Sequence, residues 1–190
     1  MKELYIIRHT TPNIEPGICY GDSDLDVADS FKEEAEKIKN LLINLTPAYI
    51  FSSPLIRCRK LGEALFPGSV IHYDNRLKEL NFGDWEMKPW KDIDKEVLKI
   101  WSDDFVHKST PNGENFNQLF SRASHFIDND ILPLKEHSKI AMVTHSGIMR
   151  CLISRYLHIP MDKIFSLKLN YGAVIKITLH ESFEEVDFIK

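Results

Sequence analysis

Two apolar runs, Leu4-Tyr5-Ile6-Ile7 and Ile140-Ala141-Met142-Val143, constrain this chain more than anything else in it. Four consecutive apolar residues suit a strand covered on both faces, as in a parallel sheet sandwiched between helices. Each run ends on a histidine: Arg8-His9-Thr10 follows the first, and Thr144-His145-Ser146-Gly147 the second. The carboxyl ends of strands in such a sheet form the rim where ligands bind. A lone histidine there is ordinarily structural, but two delivered by two buried strands point to a shared site.

The rest of the chain alternates strands with helices. Apolar Phe31, Ala35, Ile38, Leu42 and Leu45 predict an amphipathic helix over Val27 to Leu45. Tyr49-Ile50-Phe51 reads as a strand, and Ser53 as N-cap with Pro54 at the first helical position starts a helix to about Phe66. Val70 to Tyr73 is a third strand candidate. A helix is expected around Asp92 to Phe105, and Asn112-Gly113-Glu114 opens a longer one ending near Pro133. Beyond the Ile140 strand come a helix from Ser146 to about Leu157, a strand from Ala173 to Leu179, and an edge partner at Val186 to Ile189. This pattern implies an α/β fold with a doubly wound, mostly parallel sheet flanked by helices. The 190 residues suit a single domain, 1–190, with an inserted aromatic and helical segment at approximately 80–137 lying over the active site.

Bulk properties exclude several classes. The 24 basic and 28 acidic residues leave a net charge of −4, which argues against a nucleic-acid surface. No apolar stretch reaches the roughly 20 residues a membrane-spanning helix needs, and Met1-Lys2-Glu3 leads straight into a strand without a secretory leader. Cys19, Cys58 and Cys151 lack paired spacing, which fits reduced thiols and a cytoplasmic location. A homodimer is compatible with the sequence, which fixes no oligomeric state.

Several strand or helix ends carry a group suited to phosphate. Arg57 falls in the first turn of the helix after Pro54, where its guanidinium can return to the sheet rim, and Arg8 reaches the same rim from beside His9. His145 immediately precedes a helix whose first amides and positive dipole end favour an anion. A phosphate monoester carries about −1.5 to −2 charge. Two arginines, favoured for their bidentate fork, an imidazole and a helix end would offset it.

Four ordered motifs then converge. Arg8-His9-Thr10, Ser52-Ser53-Pro54-Leu55-Ile56-Arg57, Lys78-Glu79-Leu80-Asn81-Phe82-Gly83-Asp84-Trp85-Glu86 and Thr144-His145-Ser146-Gly147-Ile148-Met149-Arg150 together resemble the histidine phosphatase superfamily, which includes the phosphoglycerate mutases. The resemblance spans residues 8 to 150. It implies that His9 becomes phosphorylated, that Arg8, Arg57 and His145 hold the phosphate, and that Glu79 protonates the leaving group. Pro111-Asn112-Gly113-Glu114 is similar to the family's helix-opening segment, with Asn115 where serine is more usual. Thr10 stands where glycine is usual after the catalytic histidine, Glu15 where mutases place an asparagine, and Met87 where a glycine is usual after Trp85. Thr10 and the loop from Gly17 to Asp24 resemble the α-ribazole phosphatase branch, which serves assembly of the cobalamin nucleotide loop. That branch implies a flat, apolar leaving group; Thr10, Tyr20, Gly21, Ser146, Phe82 and Trp85 are the expected substrate-binding residues, with Trp90 also offered for the pocket rim.

Other phosphatase chemistries find little support. None of the cysteines has an arginine six residues on: Leu25, Ala64 and Leu157 stand there. No histidine pair has metal-ligand spacing, and Asp22-x-Asp24-x-Asp26 has Val27 where a calcium loop needs its turn glycine. No metal and no cofactor is expected. The reading is a metal-independent phosphomonoesterase in two steps: neutral His9 attacks phosphorus while Glu79 gives a proton to the alcohol, then water attacks the phosphohistidine as Glu79 takes its proton. A phosphoglycerate mutase or a broad-specificity small-molecule phosphatase are the enzymatic alternatives. A catalytically silent phosphate-binding module is the non-enzymatic one, although no matched position carries an inert residue.

Overall fold

A computed structural model describes residues 1–190. The six strands are β1 (Lys2–Arg8), β2 (Tyr49–Ser52), β3 (His72–Tyr73), β4 (Lys139–Thr144), β5 (Val174–Leu179) and β6 (Glu184–Phe188), ordered β3-β2-β4-β1-β5-β6 in one sheet. β3, β2, β4 and β1 run parallel, whereas β5 and β6 add antiparallel. The sheet is therefore mixed, parallel where the two histidine-bearing strands lie side by side.

Helices α1 (Phe31–Leu41), α2 (Ile56–Leu65), α3 (Lys95–Asp103), α4 (Phe116–Phe126) and α5 (Ser146–Leu157) complete the elements used below. The two-residue period of a strand sorts the apolar runs onto opposite faces. Leu4, Ile6, Ile140 and Met142 join the core beneath α4 and α5, while Ile7, Ala141 and Val143 join the one beneath α1 and α2. Each of these except Ala141, fully buried, contributes about 1.5–3 kcal/mol. Both faces covered is the physical reason the runs are unbroken. A third, smaller cluster of Cys19, Trp85 and Ile93 with Phe82, Trp90 and Trp101 packs the segment around α3, whereas α4 lies in the main core. No helix is long and apolar enough to cross a membrane.

Several boundaries differ from expectation for identifiable reasons. α1 starts at Phe31 because Val27 bridges to Pro12 and the Ala28 N–H bonds the Thr11 carbonyl. Ser53 is not the N-cap of α2, which begins at Ile56: its hydroxyl lies 2.8 Å from His145 Nε2, and the Asp24 carboxylate accepts the Ile56 N–H at 2.6 Å instead. β3 keeps only two of its four predicted residues. α3 is capped by Asp94, which accepts from Glu96 and Val97. α4 starts at Phe116, after a capping box between Asn115 and Gln118, and passes into a π-helical turn at Ile127–Ile131.

Candidate active site

In the parallel register of β1 and β4, Arg8 pairs with Thr144. His9 and His145 are the next residues on each strand, and the His9 N–H bonds the Thr144 carbonyl at 3.0 Å. The ladder holds the two rings edge to face with centroids 5.0 Å apart. His9 Nδ1 lies 2.7 Å from the carbonyl oxygen of Thr10, its own neighbour. That contact assigns the proton to Nδ1 and leaves the lone pair on Nε2, the arrangement a nucleophilic imidazole needs. Both rings are buried. Burial first, then the Arg57 cation, hold each well below the ordinary imidazole range, and Arg8 adds to this. His9 is thus neutral and oriented.

The arginines are held differently from one another. Arg8 donates to the Leu169 carbonyl, and its guanidinium sits 4.1 Å from the centre of the Tyr171 ring. Arg57, fully buried, donates through Nη1 to the Ser23 carbonyl at 2.7 Å and through Nη2 to that of Gly21 at 2.6 Å. Its charge faces both histidines, yet it does not line the open cavity. Tyr20 and Tyr171 join their hydroxyls at 2.6 Å, bridging two loops beside His9.

The start of α5 also departs from expectation. The Gly147 amide is not free for phosphate: its N–H donates to the Glu79 carboxylate at 3.1 Å, which also accepts from the Ser146 hydroxyl at 3.2 Å and the Leu80 N–H at 3.0 Å. The dipole end is occupied by the proposed acid itself. A Cβ at position 147 would meet Glu79 Oε1 at 2.1 Å, so a side chain there would displace the carboxylate.

Above these groups opens a cavity of about 210 Å³. Arg8, His9, Glu79, Ser146 and Gly147 contribute its polar part, and Ile18, Tyr20, Leu80, Phe82, Trp90, Phe116 and Phe165 its apolar walls. Tyr20, Phe82 and Ser146 therefore lie where substrate contacts were expected. Thr10 and Gly21 do not line it: Thr10 is buried below, offering its carbonyl to His9, and Gly21 gives its carbonyl to Arg57 and its N–H to Glu86. Trp85 is also misplaced by the sequence reading. It is 5% exposed, packed against Trp90 and Trp101, and Trp90 is the tryptophan that faces the cavity. Arg150, Ile18, Phe116 and Phe165 are lining residues that sequence reasoning left unassigned. Arg150 carried a signal, since it lies four residues after Ser146 on one helix face, whereas Phe165 comes from a short 3₁₀ helix, Met161–Ser166, with none. No group of three or more histidine, cysteine or acidic side chains is placed to hold a metal ion.

The sequence profile of the histidine phosphatase superfamily (branch 1) matches residues 4–189. The chain is 27% identical over 190 residues to an adenosylcobalamin/alpha-ribazole phosphatase of Escherichia coli strain K12, covering 95% of this chain and 91% of that protein. It is likewise 27% identical over 190 residues to a probable phosphoglycerate mutase of Shigella boydii, covering 96% and 87%. Among solved structures, the alpha-ribazole phosphatase from Shigella flexneri superposes with a TM-score of 0.88 at 25% identity, covering 98% of this chain and 95% of that one.

Proposed function

Since the chain belongs to the histidine phosphatase superfamily, matched over nearly its whole length, we propose that it hydrolyses phosphomonoesters through a phosphohistidine on His9, with α-ribazole 5′-phosphate as its substrate. The observation that carries this reading is the state of His9, buried, neutral and with Nε2 free, at the floor of a cavity that Glu79 also lines. The names of the relatives from Escherichia coli and Shigella flexneri support the substrate, and so does the cavity wall. A benzimidazole is flat and apolar, and Tyr20, Phe82 and Trp90 offer faces that suit it.

In this reading His9 Nε2 attacks phosphorus opposite the ester oxygen. The P–O bond breaks as the P–N bond forms, and Glu79 passes its proton to the departing alkoxide. Arg8, which lines the cavity, and the buried Arg57, through its field, stabilise charge on the equatorial oxygens, the work a metal ion performs in other phosphatases. Water then attacks the phosphohistidine, Glu79 takes its proton, and inorganic phosphate leaves. We assign the reaction to the cytoplasm, in keeping with three unpaired buried cysteines.

Quenching during turnover tests the chemistry: an acid-labile, alkali-stable phosphoryl group should appear on the His9 peptide and vanish in His9→Ala. Label retained in that variant overturns the assignment. Comparing kcat/KM for α-ribazole 5′-phosphate, phosphoserine and 3-phosphoglycerate, with and without a bisphosphate primer, tests the substrate. Primer-dependent phosphoryl return to 3-phosphoglycerate would make the protein a mutase instead.

A further inference from the structure

We propose that Arg122 and Glu114 are positioning residues that set where Glu79 stands, acting through the backbone that carries it; this rests on reading Glu79 as the acid. Glu79 makes no ion pair of its own; its carboxylate is held at the start of α5, while its backbone belongs to the irregular loop between β3 and α3. Three consecutive-turn carbonyls of that loop converge on one guanidinium. Arg122 Nη1 donates to the carbonyls of Arg76 and Lys78 at 2.7 Å each, and Nη2 to that of Glu79 at 2.8 Å. The remaining two N–H groups go to Glu114, Nε to Oε1 at 2.8 Å and Nη2 to Oε2 at 2.9 Å. All five donors of the fork are satisfied, a geometry lysine cannot reproduce.

Glu114 is more than a counter-ion. Its Oε2 accepts the Asn81 N–H at 3.0 Å, and its own N–H returns to the Asn81 carbonyl at 2.8 Å. The segment Pro111–Glu114 thereby lies flat along residues 81–84, with the Asp84 N–H on the Pro111 carbonyl at 2.9 Å. The two backbones are too close for side chains: a Cβ on Gly113 would meet the Asn81 carbonyl at 2.5 Å, and one on Gly83 the Pro111 carbonyl at 2.1 Å. The motif Pro111-Asn112-Gly113-Glu114, which touches no reacting atom, thus acquires a role. It docks α4 onto the acid's loop and aims Arg122 at the carbonyl of Glu79 itself.

A residue that merely stabilises the fold and one that aims an acid differ in a measurable way. p-Nitrophenolate leaves without a proton, whereas an alkoxide needs one, so a displaced acid penalises alkyl esters selectively. A shift of order 1 Å can cost up to about a hundredfold in such a step. Arg122→Gln should therefore lower kcat/KM for the best alkyl monoester at least about tenfold more than for p-nitrophenyl phosphate, with vanadate inhibition unchanged. Glu114→Gln should show the same selectivity, and it carries the test if Arg122→Gln does not fold. Equal losses on both substrates, while Glu79→Gln remains selective, would overturn the positioning role and leave the acid standing. Equal losses in Glu79→Gln as well would overturn both readings.

Discussion

Mild acid should destabilise this fold through its two central histidines. His9 and His145 face Arg8, Arg57 and each other, and His145 also lies in the field of Arg122; burial and these cations keep both neutral. Once unfolded, each regains a pKa of about 6.5. Because the folded values are depressed, the stabilisation is present above pH 6.5 and is lost as pH falls below it. For a histidine that stays neutral in the fold, the loss is RT ln(1 + 10^(6.5 − pH)), about 0.06 kcal/mol at pH 7.5 and about 1.4 kcal/mol at pH 5.5. Two such groups forfeit about 2.7 kcal/mol across that interval, a large share of a typical 5–15 kcal/mol. The carboxylates held low by ion pairing, among them Asp74 and Asp128, titrate below this window. Urea unfolding at the two pH values, in buffers free of phosphate and sulfate, measures the difference, and anions that bind the folded state would mask it. His9→Gln and His145→Gln should each remove about half of the pH-dependent loss. A wild type equally stable at both pH values, or variants losing as much as the wild type, would refute the reasoning.

Tyr20→Ala and Trp90→Ala should weaken kcat/KM for α-ribazole 5′-phosphate several-fold more than for p-nitrophenyl phosphate, one stacking contact being worth on the order of 1 kcal/mol; Trp85→Ala should instead cost about 3–5 kcal/mol in urea unfolding as a core deletion. Gly147→Ala should displace the Glu79 carboxylate, whose Oε1 would stand 2.1 Å from the new methyl, and lower turnover of alkyl phosphates by about ten- to a hundredfold. Met87 holds a φ of 63° while half exposed. Met87→Gly should therefore raise stability by about 0.5–1 kcal/mol, the relief of about 1–2 kcal/mol exceeding glycine's extra unfolded entropy. Activity should persist in EDTA and fall with vanadate, since Arg8 and Arg57 supply the charge; loss on chelation with rescue by one metal would contradict this.

The strands bearing the histidines, and α5 from Ser146 to Leu157, were legible because unbroken apolar runs and a helix start leave little choice of conformation. What escaped was whatever depends on a distant partner. The hydroxyl of Ser53 looks like a cap until His145 claims it from the end of the neighbouring strand β4. The Gly147 amide near the start of α5 looks free until Glu79 arrives from another loop. Among the tryptophans, local pattern carries no record of which ring turns inward: Trp85 and Trp90 both read as rim residues, and of the two Trp90 lines the cavity. The position of Arg57 at the start of α2 is legible, but its grip on the carbonyls of Gly21 and Ser23 follows from a loop closure that spacing does not encode.

The sheet order also dictates when this protein can fold as it is made. β4 lies between β2 and β1, yet it begins only at Lys139, and the other neighbour of β1 begins at Val174. A nascent chain therefore carries β1, with Leu4, Ile6 and Ile7, through most of synthesis without either partner. Pairings this remote in sequence form slowly and leave apolar edges exposed in the interval. Ribosome-bound chains ending before residue 139 should be protease-sensitive and dependent on holding chaperones. The same insertion event that closes the sheet brings His145 beside His9, so no shorter intermediate carries half a working site.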